Sequence, residues 1–279
     1  MNNDYENAIR NYEKVLSIDP YNRTAWGDRH EAYMEKSQVD QAIATYNDTI
    51  EREPEHGRAL HYRGRAYVEK EDYSQAISDF TNSIEIMPEN AVGWFWRGWA
   101  YELTKDLDSA FRDYDKAISI DPNYFEPWYR RGYARYQQGE YDKAIDDFNQ
   151  VIRIDSNLGG GWYYRARAYL SKEEYDTAIE NFNEAIRIDP KYDMAWCYRG
   201  LTHAYNSYER GIEDLAEAIR LDPEDTFFRS QRGHLYSQLD EFDLAIEDLN
   251  VAIRLDPEDA YYRAQRGDFY SDKGDFDKA

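Results

Sequence analysis

The chain has 279 residues and is strongly acidic, with 34 lysines and arginines against 56 aspartates and glutamates and a formal net charge of −22. Such a surface repels phosphate backbones, so we expect no nucleic-acid partner. No run of 18 apolar residues occurs, and the first residues lack the positive start and apolar core of a signal peptide, so we expect no membrane partner and no export signal in this chain. The compartment stays open.

Proline recurs along the chain at a step of 34 residues, with a single step of 33, and it usually follows an acidic residue. The recurring positions are Pro20, Pro54, Pro88, Pro122, Pro190, Pro223 and Pro257, and Ser156 stands where the series omits a proline. A fixed period of this length predicts an array of structural repeats.

The interval 91–124 shows what one repeat contains. Its apolar and small residues fall into two runs with spacings of three and four, namely Trp94, Gly98 and Tyr101, then Ala110, Tyr114 and Ala117. Such spacings place side chains on one face of a helix. We therefore expect a helix A over about 91–104, a tight turn, and an antiparallel helix B over about 108–120, with proline opening the next repeat because it does not continue a helix.

The same pattern divides the whole chain and predicts an all-α protein. Residues 1–22 carry a half repeat with helix B only, and residues 260–279 carry a half repeat with helix A and the start of helix B. The complete repeats between them are 23–56, 57–90, 91–124, 125–158, 159–192, 193–225 and 226–259.

This repeated text resembles the tetratricopeptide repeat (TPR) family. The family's tryptophan position is filled by Trp26, Trp94, Trp128, Trp162 and Trp196, and its small position by Gly64, Gly98, Gly132, Gly200, Gly233 and Gly267. The alanine that begins helix B is Ala42, Ala76, Ala110, Ala144, Ala178 and Ala245. The resemblance implies a right-handed superhelical α-solenoid of antiparallel helix pairs with 34-residue repeats, and a non-enzymatic scaffold for protein–protein interaction.

One departure from the family is systematic, because arginine replaces the leucine before the small position in every repeat. These residues are Arg29, Arg63, Arg97, Arg131, Arg165, Arg199, Arg232 and Arg266. An acidic residue stands in helix B of most repeats, at Asp79, Asp113, Asp147, Asp214 and Asp248, with Thr45 and Asn181 in two others. We predict a ladder of partly buried ion pairs, since a guanidinium matches a fixed carboxylate. The alternative is an arginine rail for an anionic ligand.

The inner wall of the superhelix, which helix A lines in this family, is the expected site for a protein or peptide partner. The side chains predicted to face this groove are Tyr62, Arg65, Phe95, Trp96, Trp99, Tyr129, Arg130, Tyr133, Tyr136, Tyr163, Tyr164, Arg167 and Tyr198. Tyrosine and tryptophan anchor interfaces with few rotatable bonds to immobilise. The alternative interpretation is that about half of these rings pack between neighbouring A helices.

The interval 193–225 is irregular, because one residue is missing in its turn between Asn206 and Gly211. Gly211 replaces the helix B alanine, and His203 takes a tyrosine position. We interpret this as drift tolerated in one repeat, with a dedicated site as the alternative.

Nothing in the sequence indicates catalysis, a cofactor or a metal site. Cys197 is the single cysteine, so an internal disulfide and a thiolate metal cluster are both excluded. The five histidines are scattered along the chain without ligand spacing, and no phosphate loop or nucleophile motif occurs. We therefore expect no catalytic, cofactor-binding or metal-binding residue, and a protein that is not an enzyme.

The two half repeats raise a second possible function. Without a neighbouring helix, apolar side chains at Ile9, Tyr12 and Leu16 and at Tyr270 are expected to be uncovered. Either the chain is a fragment of a longer array, or copies of it join head to tail into a continuous superhelix or filament. The sequence thus supports two candidate functions: a scaffold that binds a partner segment in its groove, and a structural subunit that self-assembles.

Overall fold

The computed structural model describes residues 2–274, and these form 16 α-helices and no β-strand. In chain order the helices are α1 (Asn2–Ile18), α2 (Arg23–Glu35), α3 (Val39–Arg52), α4 (Gly57–Glu69), α5 (Tyr73–Ile86), α6 (Ala91–Leu103), α7 (Leu107–Ile120) and α8 (Phe125–Gln137). They continue as α9 (Tyr141–Ile154), α10 (Gly159–Ser171), α11 (Tyr175–Ile188), α12 (Asp193–His203), α13 (Tyr208–Leu221), α14 (Thr226–Gln238), α15 (Phe242–Leu255) and α16 (Ala260–Asp272).

The chain is an all-α repeat solenoid, which confirms the predicted fold class. The pair expected over about 91–104 and 108–120 is α6 and α7. Two compact units divide the chain inside α8, a first unit ending at Arg131 and a second unit beginning at Gly132. The assignment of complete and half repeats stays a prediction, and residues 275–279, where the sequence predicts the start of a last helix B, lie outside the described residues.

Except for the turn between α12 and α13, the described turns between paired helices contain one residue in the left-handed region. Gly139 (φ 78°) and Gly274 (φ 83°) take this conformation, as their sequence context predicts. Other turns use a residue with a side chain, such as Lys105 (φ 68°) in the turn between α6 and α7. Asp106 then accepts a hydrogen bond from the backbone N–H of Ser109 and caps α7.

Small residues allow the two helices of a pair to approach closely. Ala110 of α7 is fully buried, and a Cβ built on Gly98 of α6 would lie 2.9 Å from ring carbons of Tyr114. A larger side chain at either position would separate the helices and cost packing energy. The family's small positions therefore have a steric cause in this chain.

The expectation that Ile9 and Leu16 are uncovered is wrong. Both are buried, at 6% and 9% exposure, in a core cluster that also contains Trp26 and Tyr33 of α2. The physical reason is that these two positions of α1 face the following helix, α2. Tyr12 is partly buried against the same cluster, and Tyr270 is partly buried against the cluster that includes Leu249 and Phe269.

Across residues 2–274, no helix combines the length and the apolar character that a membrane span requires.

Candidate interaction surface

Several of the repeated arginines form the predicted ion-pair ladder. In α6, Arg97 donates from Nε to Oδ2 of Asp113 at 2.7 Å and from Nη2 to Oδ1 at 2.8 Å, while Nη1 reaches Oγ1 of Thr81 in the preceding helix B at 3.2 Å. The same bidentate contact joins Arg63 to Asp79, Arg199 to Asp214 and Arg232 to Asp248. The ladder thus connects each of these A helices to its own helix B.

A tryptophan covers the other side of the ladder. The Arg97 guanidinium carbon lies 4.9 Å from the ring centroid of Trp94, and the indole N–H of Trp94 donates to the carbonyl of Pro88 at 2.9 Å. Arg131, Arg165 and Arg199 stack on Trp128, Trp162 and Trp196 in the same way. These arginines are held by side chains of their own and of the preceding repeat, so the structure gives no support to an arginine rail.

In the first unit, predicted groove residues form a row of adjacent aromatic rings and arginines. The Arg65 guanidinium lies 4.4 Å from the Trp96 ring centroid, the two rings of Trp96 and Trp99 are 4.8 Å apart, and Arg130 lies 4.6 Å from Trp99. These side chains, together with Tyr62 and Tyr129, are partly exposed. Their charges are met by acids: Arg65 pairs with Glu31 at 2.7 Å, and Arg130 lies 3.9 Å from Glu102.

In the second unit, tyrosines surround one arginine. The Arg167 guanidinium carbon lies 4.4 Å from the ring centroid of Tyr198 and 5.1 Å from that of Tyr136. Tyr133 packs edge to face on Tyr164 with their centroids 5.0 Å apart. All five side chains are partly exposed. Among the described residues, no carboxylate is recorded within 4.0 Å of Arg167, in contrast to Arg65 and Arg130.

Two of the predicted groove residues belong to the core instead. Phe95 is 6% exposed and packs on Tyr124 with 5.3 Å between ring centroids; Tyr163 is 2% exposed and lies 4.8 Å from Tyr192. Successive residues of a helix are turned by about 100°, so a side chain one position before a groove residue faces the next repeat. Phe95 and Tyr163 therefore fill the contact between repeats, and their assignment to the groove is wrong.

Sequence reasoning missed a cavity in the second unit. It lies between α12 and α14 and has a volume of about 530 Å³. Tyr198, Leu201 and Leu235 line this space. The irregular interval 193–225 is the signal in the sequence that could have indicated this cavity.

Three buried titratable groups have pKa values that burial shifts. Burial raises the pKa of the Cys197 thiol, and burial lowers the pKa of His30 to about 2 and that of His61 to about 3. These groups are neutral near pH 7, and the thiol is not activated as a nucleophile. Within the described part of the chain, no group of three or more potential metal ligands comes together.

Comparisons with known proteins agree with the repeat pattern. Family models described as tetratricopeptide repeat match residues 1–63, 57–90, 125–158 and 229–259, and one described as TPR repeat matches residues 100–139 and 166–207. No curated protein matches the sequence.

Solved structures show the same fold at low sequence identity. A chain of the APC/C hetero-tetramer Cut9–Hcn1 is 18% identical with a TM-score of 0.69, over 95% of this chain and 52% of that one, so this chain spans about half its length. The C-terminal part of a TPR repeat-containing protein from Cytophaga hutchinsonii is 15% identical with a TM-score of 0.68, over 85% and 97% of the two chains. YrrB, a TPR protein with an unusual peptide-binding site, is 21% identical with a TM-score of 0.55, over 66% and 96%.

Proposed function

Since the chain belongs to the tetratricopeptide repeat family, we propose that it is a scaffold that binds a peptide or protein segment along its partly exposed rings. Proteins of this fold generally mediate protein–protein interaction, and the family is generally non-enzymatic. One of the structural neighbours, YrrB, is described as having a peptide-binding site.

The observation that carries the proposal is the set of pre-packed aromatic rings in each unit. Trp99 is fixed between Trp96 and Arg130, and Tyr133 is fixed against Tyr164, yet each ring keeps an exposed part. Because packing already holds these rings in place, a partner that covers them loses little side-chain entropy. Such rings are typical anchors of protein interfaces.

The test is selection of ligands from a phage library of linear 12-residue peptides, followed by affinity measurement with the selected synthetic peptides. We expect Trp99→Ala or Tyr133→Ala to weaken binding of peptides that use the corresponding unit by about 2 kcal/mol or more. Tyr21→Ala and Tyr261→Ala are the controls, because these exposed tyrosines lie outside the groove positions.

The opposite pattern would reject the groove as the binding surface. If both groove variants bind as the wild type does, while charge reversals such as Glu180→Lys and Glu213→Lys on the B helices abolish binding, the partner uses the outer face. If the library yields no ligand for the wild-type protein, the scaffold proposal itself fails.

A second candidate function is self-association through α1, and one observation favours it. Tyr5 and Val15 of α1 are 37% and 40% exposed, on the same helical stripe as Ala8 and the partly buried Tyr12. In α3 the residues corresponding to Ala8 and Tyr12, which are Ala42 and Tyr46, are fully buried. The α1 stripe is therefore an apolar surface that a second copy could cover.

Light scattering after size-exclusion chromatography tests this candidate. We expect the mass of the wild type to rise with protein concentration and with salt, because salt screens the repulsion between chains of charge −22. Val15→Glu should prevent the rise. A constant monomer mass under all of these conditions would exclude self-association.

A further inference from the structure

A cavity lies on the groove side of the second unit, between α12 and α14. Its volume is about 530 Å³, and its walls include Leu170, Leu201 and Leu235 with the ring of Tyr198, while His234 and Gln238 bring polar groups. An apolar cavity with a few polar groups on its lining is typical of a site that receives a side chain of a partner.

The irregular repeat creates this cavity. Helix α12 has 11 residues, whereas α10 and α14 have 13, and Ala204 follows α12 at the position where α10 carries Leu170. Gly211 leaves room for Leu235 to pack against it, because a Cβ on Gly211 would lie only 2.7 Å from Cδ1 of Leu235. The shortened turn and the small residues Ala204 and Gly211 thus leave a space, and Leu235 packs in its wall.

An arginine without a carboxylate stands beside the cavity. Tyr198, which lines the cavity, also stacks under the Arg167 guanidinium at 4.4 Å. Among the described residues, the groove arginines Arg65 and Arg130 each have an acid nearby, at 2.7 and 3.9 Å, but no such ion pair is recorded for Arg167. A guanidinium in an aromatic setting, with no carboxylate recorded within 4.0 Å among the described residues, is complementary to an acidic side chain of a partner.

We propose that the second unit recognises a linear segment of a partner protein in which an acidic side chain pairs with Arg167 and a bulky aliphatic side chain enters the cavity beside Tyr198. This inference rests on the proposed scaffold function and specifies its ligand. One tyrosine ring contributes to both subsites, so the acidic and aliphatic residues are one to three positions apart, given about 3.3 Å per residue in an extended segment.

The experiment uses the full chain and the same library of linear 12-residue peptides. Selected peptides are expected to combine Asp or Glu with Leu, Ile or Met at this spacing. A synthetic selected peptide is then measured beside two substituted forms, one with its acid changed to the amide and one with its aliphatic residue changed to alanine. The protein variants are Arg167→Gln and Ala204→Phe, the second of which fills the cavity, with Tyr261→Ala as the control.

A specific pattern of coupling is expected. Arg167→Gln should weaken the binding of the acidic peptide by about tenfold or more and leave the binding of the amide peptide nearly unchanged. Ala204→Phe should remove the preference for the aliphatic peptide over its alanine form. The two substituted peptides test both subsites in the wild-type protein. Their result therefore does not depend on the folding of the protein variants, which circular dichroism checks.

The outcomes separate this inference from the scaffold function. Peptides that bind through Tyr133 but show no acidic or aliphatic preference, or no response to Arg167→Gln and Ala204→Phe, would overturn the inference and leave the scaffold function intact. Absence of any selected peptide would overturn both.

Discussion

The helix pairs α2–α3 and α6–α7 carry the same tryptophan and arginine but differ in what meets the arginine. In α6–α7, Asp113 accepts hydrogen bonds from both Nε and Nη2 of Arg97. In α2–α3 the corresponding position is Thr45, and the same two nitrogens of Arg29 have no hydrogen-bond partner although the residue is only 4% exposed. Burial accordingly lowers the pKa of Arg29.

The two pairs also differ at the small position. Gly98 lies against the ring of Tyr114 in α6–α7, whereas α2 carries His30, which is 1% exposed and whose Nδ1 is 3.1 Å from the hydroxyl of Tyr46. The pair α2–α3 therefore forms without the arginine–aspartate ion pair and without a glycine at the small position. This comparison indicates that apolar burial maintains the repeat, while the ladder and the small residue add to its stability.

The largest expected effect comes from removing the carboxylate in the regular pair. Asp113→Ala leaves the Arg97 charge largely buried without its partner, so we expect the free energy of unfolding of the first unit to fall by about 3–5 kcal/mol. Urea unfolding and amide hydrogen exchange in α6 and α7 measure this loss.

Asp113→Asn is the matched control for that variant. An asparagine already serves in the second unit, where Oδ1 of Asn181 accepts from Nε of Arg165 at 2.7 Å. We expect a smaller loss than for Asp113→Ala. Equal stability of Asp113→Ala and the wild type would show that the ladder contributes nothing to stability.

The next effect concerns the small position. Gly98→Ala introduces a Cβ at 2.9 Å from the Tyr114 ring, so the helices must separate, and we expect a loss of about 1–3 kcal/mol despite the higher helix propensity of alanine. In α2, Gly27→Ala meets only the hydroxyl of Tyr62 at 3.2 Å and should be close to neutral. Thermal unfolding of the two variants shows whether steric contact or helix propensity determines the change in stability.

The helices and the ladder were predictable because both depend on spacings that recur in the sequence. A period of 34 residues fixes which side chains share a helix face, and the arginine and the acid recur at matching positions, as Arg97 and Asp113 do. The groove was harder to predict. Phe95 and Trp96 are adjacent aromatic residues, and only the direction in which each leaves the helix separates core from groove.

The cavity beside Tyr198 could not be predicted from residue types, because it results from what is small or missing. The cavity depends on a shortened turn and on two small residues, Ala204 and Gly211, which have no functional group that would mark a site in the sequence. Their effect is visible only in the structure, where Leu235 and its neighbours surround them. The burial of Ile9 and Leu16 had a similar cause, since it depends on which neighbour each face of α1 meets.

The comparison of the two pairs also predicts a gain of stability. Thr45→Asp offers a carboxylate where Asp113 stands in α7, so the Nε and Nη2 atoms of Arg29 would gain a partner. We expect an increase of about 1–2 kcal/mol, measured by hydrogen exchange in α2 and α3. Thr45→Asn should give a smaller increase. A decrease for both variants would mean that the Arg29 side chain does not face this position.

The smallest expected effect is a pH dependence that comes from His30 in α2 and His61 in α4, whereas α6 and α7 contain no histidine. Burial lowers the pKa of His30 from 6.5 to about 2 and that of His61 to about 3, so the folded chain keeps both rings neutral while the unfolded chain protonates them below pH 6.5. Stability is therefore present above pH 6.5 and is lost as the pH falls, by about 0.8 kcal/mol for each histidine between pH 7.5 and 6.0. Urea unfolding across this range should show that His30→Asn removes about 0.8 kcal/mol of the dependence. An unchanged slope in His30→Asn would mean that water reaches the His30 ring in the folded protein.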